Sequence, residues 1–256
     1  IEEITGMPAI GMVPRLSRQD RARKPHEVVS ERPDSLIGES IRTIQTSLLL
    51  SGSREAPKVV LVTSSIPGEG KTSIALSLAS LAARTGNRSI AIDCDLRRAS
   101  LHQTLKVSND VGLSHYLSGQ AELEDIVQVD PASGLHYISA GARVPHPTDL
   151  LGSQRMYGLL QQLEAAYDSV ILDTPPLLAV SDALVLVRAV DRVVFVVKWE
   201  TTRRDSVIAS VKQIAEAGAH IGGLVLSQVD LRKQAKYGYS SGSGYYYGDG
   251  QKYFSG

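Results

Sequence analysis

The chain has 256 residues, 43% of them hydrophobic and 21% charged, with a formal net charge of zero. That length suits one large α/β domain or two small ones, and the balanced charge gives no global field that points to nucleic acid or to a membrane surface. A single cysteine, Cys94, excludes a disulfide framework and points to a reducing cytosol, the six histidines have no metal-ligand spacing, and the longest strongly apolar run, Val193 to Val197, is far too short to cross a bilayer.

Residues 1–35 are rich in Pro and Arg, and the stretch from Arg15 to Arg32 carries six Arg or Lys against three Asp or Glu. This composition predicts an extended basic strap or linker, either a solvated connector or a segment suited to anionic lipid headgroups. The first residue is Ile1 and no signal peptide is present, so the chain is expected to be a piece of something longer, whose remainder could hold membrane spans. From Leu36 to Leu50 apolar residues recur at helical spacing. Strands and helices then alternate. Strands are expected at 58–65, 89–95, 135–141, 170–176, 192–198 and 222–229, with helices after the first strand and at 150–167, 181–189 and 203–217. Short apolar strands separated by helices predict an α/β fold, a mostly parallel sheet with helices covering both faces. The expected organisation is a strap over 1–35, a domain over 36–236 and a tail over 237–256.

The run SSIPGEGKTS (64–73) follows a strand and opens a helix, the setting a phosphate-binding loop requires. Gly68 and Gly70 let the backbone curl so that successive N–H groups face one centre, and the helix that follows adds its positive end. Lys71 is then placed to reach the β- and γ-phosphates of ATP, and the Thr72 hydroxyl to ligate Mg²⁺. Pro67, Glu69 and Ser73 complete the candidate nucleotide-binding loop, and Ser65 stands where the usual pattern has its first glycine. Two acidic motifs end apolar strands, at the edge of an open parallel sheet where ligands bind. In IAIDCDLR, Asp93 and Asp95 are two apart, so extended geometry predicts that both side chains point the same way. VILDTPP ends in Asp173, the expected partner of a hydrated metal.

The last twenty residues hold six of the chain's ten tyrosines, with six Gly and four Ser. Such a segment has few aliphatic residues with which to build a core and is expected to stay disordered. Beside an ATP site, its phenols are candidate phosphate acceptors: Tyr237, Tyr239, Tyr245, Tyr246, Tyr247 and Tyr253. The Gly-rich loop, strand lysine and HRD-type loop of eukaryotic kinases are absent.

SSIPGEGKTS, IAIDCDLRR, VILDTPP and the tyrosine tail, in this order, resemble the cytoplasmic domain of bacterial tyrosine kinases of the polysaccharide co-polymerase group. GLSHYLSG (112–119) and SAGARVPHPTDLL (139–151) add to a likeness that spans nearly the whole chain. The resemblance implies ATP- and Mg²⁺-dependent autophosphorylation of the tail, largely between subunits, in control of exopolysaccharide or capsule export. It also implies that Asp93 orients or deprotonates the phenol, that Asp95 and Asp173 hold Mg²⁺, and that Lys71 stabilises the transferred phosphoryl. The implied partners are further copies of the chain in a ring, with an octamer as one form, a transmembrane activator segment and a cognate tyrosine phosphatase, with no nucleic acid. The implied place is the inner face of the bacterial membrane. Two departures stand out. The ring motif Glu-x-x-Arg-x-x-Arg reads here as Glu39, Arg42 and Gln45, which removes one interface charge. After the last strand, where many relatives have Asn near the adenine, this chain offers Ser227 and Gln228. A chromosome-partitioning or division-site ATPase would carry a second lysine early in the loop, where Ile66 stands; the other alternative is a non-catalytic module that binds nucleotide and assembles into rings, and the intact set of Lys71, Asp93, Asp95 and Asp173 argues against a dead site.

Overall fold

The computed structural model describes residues 2–17, 20, 22–51, 56–131 and 133–237. Its strands are β1 (Ala9–Pro14), β2 (Val59–Ser64), β3 (Ser89–Asp93), β4 (Gln128–Val129), β5 (His136–Ile138), β6 (Ser169–Asp173), β7 (Arg192–Lys198) and β8 (Ile221–Val229). They form one sheet in the order β1-β8-β7-β2-β6-β3-β5-β4, parallel throughout except for the β4–β5 pair. The helices are α1 (Glu2–Thr5), α2 (Pro25–Glu31), α3 (Leu36–Leu50), α4 (Lys71–Arg84), α5 (Leu101–Leu105), α6 (Leu113–Leu117), α7 (Leu123–Ile126), α8 (Pro147–Leu151), α9 (Gln154–Ala166), α10 (Arg204–Glu216) and α11 (Leu231–Tyr237). Among the described residues no helix is long and apolar enough to cross a membrane.

Both faces of the sheet are covered, which is why its central strands carry consecutive apolar residues, as in Val59–Val62 and Val193–Val197, rather than alternate ones. Val60 and Val62 of β2 pack with Ile41 and Ile44 of α3 and Ile74 and Leu78 of α4 on one face. Val59 and Leu61 pack with Leu159 and Leu163 of α9 and Val211 and Ile214 of α10 on the other. A fully buried Leu or Ile stabilises by about 1.5–3 kcal/mol, so the alternation within one strand anchors two helical layers at once.

The start of the chain departs from the expected strap. Residues 9–14 form the edge strand β1, which pairs in parallel with β8, and residues 25–31 form α2, which buries His26, Val28 and Val29. The prolines that suggested a linker are compatible with this: Pro14 ends an edge strand, and Pro25 opens a helix where its missing N–H costs nothing. α3 follows as expected, capped by the Ser35 hydroxyl, which accepts from the Gly38 amide at 3.2 Å.

Further differences lie in the second half. The helix expected over 150–167 is two, α8 and α9, separated by Gly152 and by Ser153, whose hydroxyl caps the second by accepting from the Met156 amide at 3.3 Å. The helix expected over 181–189 is a series of turns ending in one 3₁₀ turn at Val187–Ala189. Asp182 explains this: it is fully buried, and its carboxylate is taken up by Arg97 and Thr148 rather than turned to solvent.

Candidate active site

β2 ends at Ser64, the chain turns through residues 65–70, and α4 begins at Lys71. Gly68 and Gly70 both have positive φ, 82° and 91°, which side-chain-bearing residues adopt at a cost. Gly70 is also the N-cap of α4, so the loop amides and the helix's first amides converge at the positive helix end.

A clasp reaching from β7 and β8 keeps the loop in this shape. Glu69 is buried. One of its carboxylate oxygens accepts from the Ile66 amide at 2.8 Å; the other accepts from the Lys198 amide at 3.3 Å and from the Thr202 hydroxyl. The Ser227 hydroxyl donates to the Glu69 carbonyl at 2.5 Å and the Gln228 side-chain amide to the Gly68 carbonyl at 3.1 Å. Ser227 and Gln228, expected near adenine, are thus engaged with the loop backbone in this structure. Gln228 itself takes φ 54°, a conformation uncommon outside glycine. Replacing Glu69 with Ala is expected to leave the Ile66 amide and the Thr202 hydroxyl without their acceptor, while the Lys198 amide keeps its bond to the Thr202 hydroxyl oxygen at 3.1 Å. ADP affinity should fall about ten- to hundredfold, the equivalent of one charge-assisted hydrogen bond of about 1.5–3 kcal/mol, and Glu69→Gln should recover part of it. Titration with a fluorescent ADP analogue measures both. Equal affinity in all three chains would show that the loop holds its shape without the clasp.

The three acids come together at adjoining strand ends, but not equivalently. Asp93 and Asp173 are register partners on β3 and β6. Asp93 is fully buried and faces its own loop: one oxygen accepts from the Asp95 amide at 3.1 Å, the other from the Ser100 and Leu101 amides, each at 3.0 Å. These bonds end the strand at 93 and turn the chain, so Asp93 and Asp95 do not share one extended face as expected. Burial, and next the charge of Asp173, push the Asp93 carboxyl well above the ordinary carboxylate range. Burial also raises Asp173, while the Lys71 ammonium and the Thr72 hydroxyl draw it back. Asp95 accepts from the Arg98 amide at 2.9 Å and lines the main cavity.

That cavity has a volume of about 750 Å³. Pro67, Gly68, Gly70, Lys71, Thr72 and Ser73 form one side, and the loops after β3 and β6, with Thr104 of α5, supply the rest. Those two loops are tied together by Arg97, whose guanidinium donates to both Asp182 oxygens at 2.6 and 3.0 Å, with the Thr148 hydroxyl donating to the second of them at 2.6 Å. Burial raises the Asp182 carboxyl, but the Arg97 and Thr148 bonds outweigh it and hold the group below its ordinary value. Arg97 and Asp182 were not singled out as site residues from sequence; the pair Arg97 and Arg98, one residue beyond Asp95, is the signal that could have found the first of them.

Among the described residues no group of three or more His, Cys, Asp or Glu stands at metal-binding distance. Mg²⁺ with a nucleotide does not require one, since phosphates and water fill most of its six positions. The residues present fit it. Both oxygens of Asp173 are buried and accept no hydrogen bond, beside Lys71 and Thr72. An unpartnered buried carboxylate is costly, and a hydrated cation would satisfy it. The Thr72 hydroxyl lies 2.8 Å from that of Ser100.

Of the remaining expected residues, Glu39 and Arg42 pair with each other on α3 at 3.2 Å, and Arg42 and Gln45 are exposed and half-buried. Tyr237 closes α11. Tyr239, Tyr245, Tyr246, Tyr247 and Tyr253 lie outside the described residues.

A phosphate-type loop at the C-terminal edge of a parallel sheet, with acids on the adjoining strands, defines a P-loop nucleotide-binding protein, and a family model described as AAA domain matches residues 57–220. The tyrosine-protein kinase YwqD of Bacillus subtilis is 33% identical over 89% of this chain and 96% of its own length. A putative tyrosine-protein kinase in the cps region of Klebsiella pneumoniae is 35% identical over 88% of this chain; the match spans 31% of that larger protein. The kinase domain of the Escherichia coli tyrosine kinase ETK superposes with a TM-score of 0.80 at 32% identity, covering 88% of this chain and 91% of that one. The chain belongs to the bacterial tyrosine-protein kinase family.

Proposed function

We propose that this chain transfers the γ-phosphoryl of ATP to the tyrosines of its own C-terminal segment, largely from one copy to another, and that this controls polysaccharide assembly and export at the inner face of the membrane. The observation that carries the reading is the convergence of Lys71, Thr72 and Asp95 on one cavity with the unpartnered carboxylate of Asp173 behind them. Transfer forms a bond from the phenolic oxygen to the γ-phosphorus as the β–γ bridging bond breaks and its electron pair leaves with ADP. Asp95, the one acid of the three that lines the cavity, receives the phenolic proton; a loose transition state asks little of such a base. Asp93, assigned that role by resemblance, is better placed to hold the 95–101 loop in position.

Thr72 and Asp173 would hold Mg²⁺, directly or through water, and the ion when bound supplies charge neutralisation on the phosphates. Lys71 and the loop amides stabilise the same charge, so catalysis rests on positioning and electrostatics. Extended chain spans about 3.3–3.6 Å per residue, so a tail rooted at the end of α11 has the length to reach a neighbour's cavity. In a ring of copies, α3 with Glu39, Arg42 and Gln45 is the candidate seam. A membrane activator segment and a tyrosine phosphatase complete the expected partners. Mass spectrometry of the purified chain, with and without ATP and Mg²⁺, tests the reading. Added phosphate is expected on the tail tyrosines only when both are present; hydrolysis of ATP without any phosphotyrosine would instead favour an assembly ATPase.

A further inference from the structure

The last twenty residues present four serines among six tyrosines. A site that recognised only a hydroxyl and a phosphate would not tell them apart. The cavity has a feature that phosphate chemistry does not call for: the loop after β6 contributes an apolar shelf of Pro175, Pro176, Ala179 and Val180. The shelf is fixed to the strand that precedes the phosphate loop. The Thr63 hydroxyl donates to the Pro175 carbonyl at 3.0 Å, and the Leu177 and Leu178 amides donate to the Ser64 and Ser65 carbonyls at 2.9 and 3.1 Å. Its two prolines offer no N–H and have a fixed φ, so this wall is both stiff and unable to bind phosphate oxygens through their nitrogens.

We propose that this shelf seats the ring of the acceptor tyrosine and is what selects tyrosine over serine, an inference that rests on the kinase reading above. An aromatic side chain carries about 150–250 Å² of surface to bury. It also places its hydroxyl a full ring farther from the backbone than serine does. Only such a side chain gains from the shelf while its oxygen reaches the floor formed by Lys71, Thr72 and Asp95. Ala179 is exposed and Val180 half-buried, so substitution at 179 leaves the core untouched.

The test uses the full chain with Ala179→Asp and Ala179→Val, a peptide of residues 237–256 as acceptor, and a fluorescent ADP analogue. Ala179→Asp is expected to lower kcat/KM for the peptide about tenfold or more, with ADP affinity unchanged, while Ala179→Val retains transfer. Unaltered transfer in Ala179→Asp overturns the proposal. So does an equal loss of ADP affinity, which would mean that the shelf holds the nucleotide base. If the unsubstituted chain binds ADP but labels no tyrosine, the kinase reading itself falls, and this inference with it.

Discussion

A Lys71→Met chain is expected to lose tyrosine transfer by roughly 10²–10³-fold, the cost of removing one aimed donor from a developing anion, and yet to become labelled when mixed with an active chain. Lys71 opens α4 at the cavity, half-buried, and makes no ion pair or hydrogen bond among the described residues. Its ammonium is therefore free for phosphate, and its charge draws down the Asp173 carboxyl. The fold does not depend on it, because the helix it begins is held by Ile74, Leu76, Leu78 and Leu81 in the core. Mixing Lys71→Met with an active chain that ends after α11 separates transfer within one copy from transfer between copies. Phosphotyrosine on the inactive chain's tail is the expected result. A clean inactive chain beside full activity of the unsubstituted protein would mean that each copy serves only itself.

Asp173→Asn is expected to make the nucleotide-free protein more stable while removing its activity. The Asp173 carboxylate is buried with neither oxygen bonded, and leaving a buried polar group unsatisfied costs about 1–3 kcal/mol, more when it is charged. The sign with pH follows from the raised carboxyl. Its folded value lies above its unfolded one, so between the two the folded chain holds more protons, and stability falls as pH rises through that window. In acid, below the ordinary carboxylate range, both states are protonated and the aspartate and asparagine chains should differ little. At neutral pH the asparagine chain should melt a few degrees higher, about 2–4 °C for each kcal/mol gained. Addition of ADP and Mg²⁺ should reverse the order, because ligand binding stabilises only the form that binds it. Thermal melts at two pH values, with and without ADP and Mg²⁺, decide the matter; identical curves for the two chains throughout would mean that Asp173 has no part in the site.

The order strand, loop, helix around Lys71 was legible in the sequence because it is local: two glycines at positive φ, a lysine and a threonine lie within a few residues, and their geometry follows from their spacing. Asp173 at a strand end was legible for the same reason. The edge strand β1 was not, since Pro8 and Pro14 weaken its own pattern and only β8, more than two hundred residues on, gives it a partner. The orientation of Asp93 was not either: period-two reasoning assumes that the strand continues, and three amides of the following loop end it at that residue.

The residue types that handle phosphate, and the family they signal, were therefore set by the one-dimensional order of the chain. Which acid faces the cavity, which one braces a loop, and that Ser227 and Gln228 support the phosphate loop were decided in three dimensions. Those roles depend on pairs such as Glu69 with Thr202 and Arg97 with Asp182, far apart along the chain. A side chain's local spacing carries no record of the partner that folding brings to it.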